Sequence, residues 1–268
     1  MKWEELTAKE FEKAVKKTRT CILPMGIIER HGSHSPLGTD MINVIGVCNR
    51  AAEIEPFVVF PPFYFGQIYE AKCQWGTITL PPKVLIDLLI SVLDEIGRNG
   101  FKKIVIVNGH GGNNYLIPFL AQTLLGEEKP YTLYTFDYYN EPDFNDFMKQ
   151  ISASKDFDGH GGEIETSHVM ANEPGWVKMK METDVKLSEK RLARWKNIPN
   201  KTSSPIWFYA YAPQHYEGMN TKKATAEKGR KFQEWCAKKT ASFVKAVKAD
   251  KVAPALTKEF YKRMKKIR

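Results

Sequence analysis

Glu29, His31 and Asp40, three residues able to ligate a metal, fall within twelve positions of one another. They follow the apolar run Cys21-Ile22-Leu23, which reads as the end of a buried strand. Glu29 and His31 are two apart, so in an extended segment both side chains leave from the same side. Gly32, Pro36 and Gly38 mark a loop that can fold Asp40 back towards them. Carboxylates with imidazole suit Zn, Mn or Fe, and two carboxylates plus a His can bridge a metal pair. A polar loop with an incidental Glu and His would look the same over this stretch alone. Two further stretches add to it. Residues 104–114 are a β-branched run entering a glycine-rich turn, Asn108-Gly-His110-Gly-Gly-Asn113, and residues 159–167 hold a second glycine-flanked histidine, His160, followed by Glu163 and Glu165.

Taken in order, E-x-H-x8-D, N-G-H-G-G-N and H-G-G-x-x-E-T-S resemble the creatininase family, from about residue 20 to about 170, with a weaker echo at Gly218 to Gly229. The resemblance implies an α/β fold, a three-layer α/β/α sandwich with a mainly parallel sheet, and a cage for two divalent ions (Zn, Mn or Fe). Asp40 would bridge the pair, with Glu29 and His110 completing one ion and His31 and Glu165 the other. Creatininase carries a ligating Glu two residues past the second His, where this chain has Gly112. Glu165 is taken as the replacement and Glu163 is its rival, two residues away at the start of a helix. The resemblance also places a catalytic histidine at His160. Hydrolysis of an amide needs a proton delivered to the leaving nitrogen, which an imidazole with an ordinary pKa of ~6.5 can do. Its alternative is a supporting hydrogen-bonding role. His34 is expected at the rim and His168 on a helix face, and neither has an assigned role, nor has His215. Thr166 and Ser167 read as support for the helix start, since no base is paired with them.

The function expected is a dinuclear metal amidohydrolase that opens a small, often cyclic, non-peptide C–N bond with activated water. The family includes creatininase, a formamidopyrimidine deformylase and a peptidase of redox-peptide maturation. Creatinine itself is not the expected substrate, because the tryptophans that enclose it have no clear match here. The loop Tyr64 to Gly76, with Gln67, Tyr69, Glu70, Lys72 and Trp75, reads either as a pocket wall, its long polar chains suited to a larger molecule, or as a surface excursion. Two other classes stay open: a metal-dependent isomerase, and a metal-binding protein without turnover. Family habit implies a homo-oligomer, with hexamers built of dimers.

The 268 residues, 43% apolar and 12% aromatic, can bury a sizeable core as one domain. Cys21, Cys48, Cys73 and Cys236 show no CxxC spacing, which points to a reducing compartment without disulfides. An acidic start and no apolar run long enough for a membrane span point to a cytoplasmic protein. The net charge of +9 is uneven: residues 220–268 carry +12 and the preceding 219 carry −3. Such a tail invites a nucleic-acid reading. It lacks clustered aromatics for stacking, and lysines at helical spacing read as a solvated face.

The elements that must position these groups follow from pattern. Thr7 to Glu10 is a capping box, so a helix is expected over 8–17 and a strand over 20–25. A helix runs from Asp40 to about 53, a strand spans 57–61, and a helix behind Pro81-Pro82 covers 82–98 until Gly100. The strand 103–108 is apolar after Lys103, implying burial on both faces. A helix follows Asn113, a strand covers 131–139, and amphipathic helices cover 222–247 and 255–266 within a basic C-terminal segment, 221–268. Residues 172–220 show weak periodicity and read as loops and short helices over the active face or at a subunit contact. Strand–helix alternation argues for a parallel sheet covered on both sides.

Overall fold

The computed structural model describes residues 1–153, 159–183, 205–206, 209, 215–218 and 220–267. Much of the stretch 172–220, with Trp195 and Trp207, lies outside the described residues. Four parallel strands, β1 (Thr20–Met25), β2 (Val58–Val59), β3 (Lys103–Asn108) and β4 (Thr132–Phe136), form one sheet in the order β2-β1-β3-β4. The β1–β3 pairing runs in unbroken register from Thr20–Lys103 to Met25–Asn108.

Side chains alternate across the sheet and divide the core into two layers. Ile22, Val59, Val105, Val107 and Phe136 pack beneath α2 (Thr39–Ile54), α6 (Glu163–Asn172) and α7 (Ala226–Ala249). Cys21, Leu23, Met25, Val58, Ile104 and Ile106 face α1 (Ala8–Thr18), α3 (Pro82–Arg98) and α4 (Asn113–Thr123). This is the three-layer α/β/α sandwich. Its central strands are buried on both sides because helices cover both.

Local chemistry sets the boundaries. Thr7 and Glu10 form the reciprocal capping box of α1, and Pro82 opens α3. The strand expected over 57–61 makes ladder pairs only at Val58 and Val59. Pro61 and Pro62 have no N–H for the ladder, although Phe60 N still reaches Ile22 O at 2.8 Å. The strand expected over 131–139 stops at Phe136, where the Asp137 carboxylate accepts from Tyr139 N and starts a tight turn. Helix α5 (Phe144–Ile151) was not expected from sequence; Phe144 and Phe147 pack on Trp235 and Phe232 of α7. The basic tail is two helices, α7 and α8 (Val252–Met264). Lys103 Nζ donates to the carbonyls of Val247, Lys248 and Asp250 and so closes the α7 end from the sheet. All four cysteines are free, and among the described residues no helix is long and apolar enough to cross a membrane.

Two glycines set how deep α2 sits. A Cβ on Gly26 would lie 2.8 Å from the Met41 backbone, and one on Gly109 would lie 2.6 Å from Val44 Cβ. With no side chain there, the first turn of α2 rests on the carboxyl ends of β1 and β3. That contact brings Asp40 to the strand ends, where parallel α/β folds gather their functional groups.

Candidate metal centre

Four elements deliver the cluster. The loop after β1 carries Glu29 and His31, the first turn of α2 carries Asp40, the turn after β3 carries His110, and the first turn of α6 carries Glu165. Carboxylates in the first turns of two helices also sit at the favourable end of the helix dipole. Glu29, His31, Asp40 and His110 are buried. The Asn108 side-chain oxygen accepts from His110 N at 3.1 Å and from Asn113 Nδ2 at 3.2 Å, which fixes the glycine-rich turn.

The Asp40 carboxylate faces two imidazoles at once. Oδ1 lies 3.0 Å from His31 Nε2, and Oδ2 lies 2.9 Å from His110 Nδ1. Glu29 Oε2 is 3.6 Å from His110 Nδ1 and 3.9 Å from His160 Nδ1; Glu165 Oε2 is 3.8 Å from His31 Nε2. Three groups thus hold ligand atoms within 4.8 Å of one another: Glu29, Asp40 and His110; His31, Asp40 and Glu165; and Glu29, His31 and His160. The His31 and His160 rings stack at 4.1 Å.

Each imidazole is aimed by a main-chain carbonyl. His31 Nδ1 donates to Glu29 O at 3.1 Å, His110 Nε2 to Gln67 O at 3.0 Å, and His160 Nε2 to Arg30 O at 2.6 Å. A carbonyl can only accept, so in each ring the nitrogen facing the carbonyl carries a proton and the other nitrogen is turned onto the carboxylates. Metal-binding histidines are commonly oriented this way.

Electrostatics tells the same story in protons. Burial pushes the Glu29 carboxyl up to about 8 despite His110 and His31, and among the described residues neither of its oxygens has a hydrogen-bond partner. Burial also works against ionised Asp40, but His31 and His110 outweigh it and hold this carboxyl well below the usual range. Burial opposes a charge on His31 and His110 too, yet Asp40 beside them raises His31 to about 10 and His110 to about 9. Burial raises Glu165 as well. Buried carboxylates and imidazoles that must retain protons to coexist are a donor set that a divalent cation fits, with Zn, Mn and Fe as the suited ions.

The rival acids separate cleanly. Glu163 turns to Ser152 Oγ, Ala153 N and the Lys228 ammonium, whereas Glu165 reaches His31 and accepts from Gly161 N at 2.6 Å. At Gly112 a Cβ would lie 2.5 Å from Gln67 O, in the space of the His110–Gln67 bond. Glycine there leaves that bond room. Of the expected substrate wall, Gln67 supplies the carbonyl behind His110 and its side chain donates to Glu70 at 2.9 Å. The Tyr69 hydroxyl donates to Leu80 O, and Trp75 stands 91% exposed. His34, expected at the rim, is buried and pairs with Thr166 Oγ1 at 2.8 Å; His168 is buried on α6. The pattern missed Arg30, Gln67 O and residues 216–217, which close over the loop; carbonyls and contacts this distant in sequence leave no local signal.

Fold and cluster together define a parallel three-layer α/β protein with a carboxylate–imidazole centre, fit for divalent ions, at its strand ends. The chain belongs to the creatininase family: the family model described as creatinine amidohydrolase matches residues 4–244. It is 26% identical over 264 residues to a creatinine amidohydrolase of Pseudomonas putida, covering 90% of this chain and 95% of that protein. It is 25% identical over 187 residues to a 3-dehydro-scyllo-inosose hydrolase of Thermotoga maritima, covering 68% of this chain and 59% of that protein. A solved structure described as creatininase with Mn superposes with a TM-score of 0.74 at 23% identity, over 93% of this chain and 99% of that one. Both named relatives are hydrolases.

Proposed function

We propose that this protein is a metal-dependent amidohydrolase that cleaves a small non-peptide C–N amide bond with water, and that creatinine is not its preferred substrate. The observation that carries the reading is Asp40, whose two oxygens each face a different imidazole at about 3 Å. Glu29, Asp40 and His110 would hold one ion and His31, Asp40 and Glu165 the other, with Asp40 shared. Zn and Mn are the first ions to test, alongside Fe. Bound there, a metal pair acidifies water and polarises a carbonyl.

His160 is the proton carrier. Arg30 O fixes the proton on Nε2, so Nδ1 faces the carboxylates and can accept a proton from the attacking water and pass it to the departing nitrogen. Gln67 and Glu70, hydrogen-bonded to each other on one side of the site, supply the polar wall for a substrate larger than creatinine. Groups of this kind discriminate strongly, because a substrate that fails to pair them leaves polar atoms unsatisfied. A second reading rests on the Thermotoga relative, named for an inosose: the same centre would then hydrolyse a cyclic polyol ketone.

Steady-state turnover of creatinine, formamides, lactams, dipeptides and 3-dehydro-scyllo-inosose, with Zn, Mn or Fe supplied, tests both. A formamide or lactam should be the fastest. Creatinine ahead of every other amide sinks the substrate claim, and turnover of the inosose alone favours the second reading.

A further inference from the structure

The loop that carries Glu29 and His31 also provides the acceptors that aim two of the three histidines, Glu29 O for His31 and Arg30 O for His160. Anything that fixes this backbone therefore fixes His160. The main chain is tied at both ends, by Glu29 N to Leu37 O at 2.9 Å and by Gly32 N to Tyr216 O. Between these ties the Arg30 side chain leaves the cluster and pairs with the Glu217 carboxylate. Ser33 Oγ donates to the same carboxylate at 2.6 Å, and Thr183 Oγ1 at 3.3 Å. Arg30 also reaches Ser33 Oγ at 3.1 Å. The pair is largely shielded, with Arg30 27% and Glu217 20% exposed. Tyr216, beside Glu217, sets its ring edge-on to His160 at 5.2 Å.

We infer that Glu217 is a positioning residue: through Arg30 it latches the ligand loop, and through the Arg30 carbonyl it holds the His160 imidazole in register with the centre. The inference rests on the proposed proton-carrying role of His160, since only then does the ring's placement set the rate. Neither Glu217 nor the Arg30 side chain is assigned contact with substrate. Their effect passes along one path: carboxylate, guanidinium, loop backbone, carbonyl, imidazole. A small misplacement of a proton carrier costs rate steeply and leaves binding elsewhere intact. A pair that merely braced the surface would instead change melting behaviour and leave His160 unchanged.

The test uses the full chain, zinc-loaded and labelled with ¹⁵N-histidine. The Nε2–H resonance of His160, assigned by its loss in His160→Gln, reads the bond to Arg30 O without any substrate. Glu217→Gln and Arg30→Met should each speed exchange of this proton ~10-fold or more, because the acceptor is no longer held. The double variant should add little to either single one, and Arg30→Lys, which keeps the cation, should recover part of the protection and guards against a misfolded Met variant. On whichever panel amide the unmodified protein turns over fastest, Glu217→Gln should lower kcat ~10-fold and leave KM within about twofold. Unchanged His160 exchange in folded Glu217→Gln and Arg30→Met proteins overturns the inference, as does a lowered melting temperature without any His160 change. If no amide is turned over, the proposed activity fails and the resonance still decides the latch.

Discussion

Replacing Asp40 by Asn keeps the shape of the side chain and removes its charge. The oxygens lie 3.0 Å from His31 Nε2 and 2.9 Å from His110 Nδ1, so one substitution touches both halves of the proposed metal pair. Loss of an outer hydrogen bond to a ligand, such as Gln67 O on His110, typically weakens a metal 10–100-fold. Asp40 would be a charged donor to both ions, so its loss should cost each at least ~100-fold, about 2.8 kcal/mol at ~1.4 kcal/mol per tenfold. Titration against a chromophoric chelator should resolve two binding phases in the unmodified protein and shift both in Asp40→Asn. His110→Asn and Glu165→Gln, each a member of one group, should shift one phase apiece. Thermal unfolding of the metal-free proteins separates a local loss from a failed fold. Retention of either phase at its original affinity in Asp40→Asn would refute the shared-carboxylate reasoning.

The two acids of α6 should dissociate by phenotype. Glu163→Gln leaves Lys228 without its buried partner and should cost about 2 kcal/mol of stability with metal content unchanged; Glu165→Gln should lose metal with a smaller stability change, and the reverse pattern, seen by calorimetry and elemental analysis, would exchange their roles. Metal uptake should be proton-linked. Glu29, His110 and His31 have folded values raised to about 8, 9 and 10, so they favour the metal-free fold at low pH and lose that contribution as pH rises through each value. Loading near pH 7 should release up to three protons, one from each, and tighten as pH rises; calorimetry in buffers of different ionisation enthalpy, flat from pH 6 to 8, would contradict this. His168 carries the opposite sign: burial lowers it to about 3, so the neutral ring's contribution is present above its ordinary 6.5 and lost as pH falls. Going from pH 7.5 to pH 5 should cost about 2 kcal/mol through this group, at ~1.36 kcal/mol per unit; urea midpoints that fall equally in His168→Gln and the unmodified protein would show that another group carries the acid loss.

How much of this was legible in the residues depends on the range of the interactions involved. The bounds of α1, β1, β3 and α3 follow from the capping box at Thr7, from apolar runs and from Pro82, all short-range signals, and the structure places them close to where the pattern does. The strand expected over 57–61 is shorter in the structure because Pro61 has no N–H to give the ladder. Helix α5 was missed although Phe144, Phe147, Met148 and Ile151 recur at helical spacing; its neighbours in sequence hid it and its partner α7 lies far along the chain. In the site, Glu29, His31, Asp40, His110 and Glu165, which lie together at the strand ends, are legible from residue type and order through the family resemblance. For Glu163 and Glu165, both in the first turn of α6, the residues give an order of preference, and the contacts that set them apart, those of Glu163 with Ser152, Ala153 and Lys228, come from elsewhere in the chain. Least visible of all were the groups that aim the rings. Glu29 O, Arg30 O and Gln67 O are main-chain carbonyls, which every residue type supplies, and the carboxylate that anchors Arg30 lies 187 positions away. A sequence pattern therefore records which side chains can ligate, while the backbone that orients them is set by where the loop is tied down.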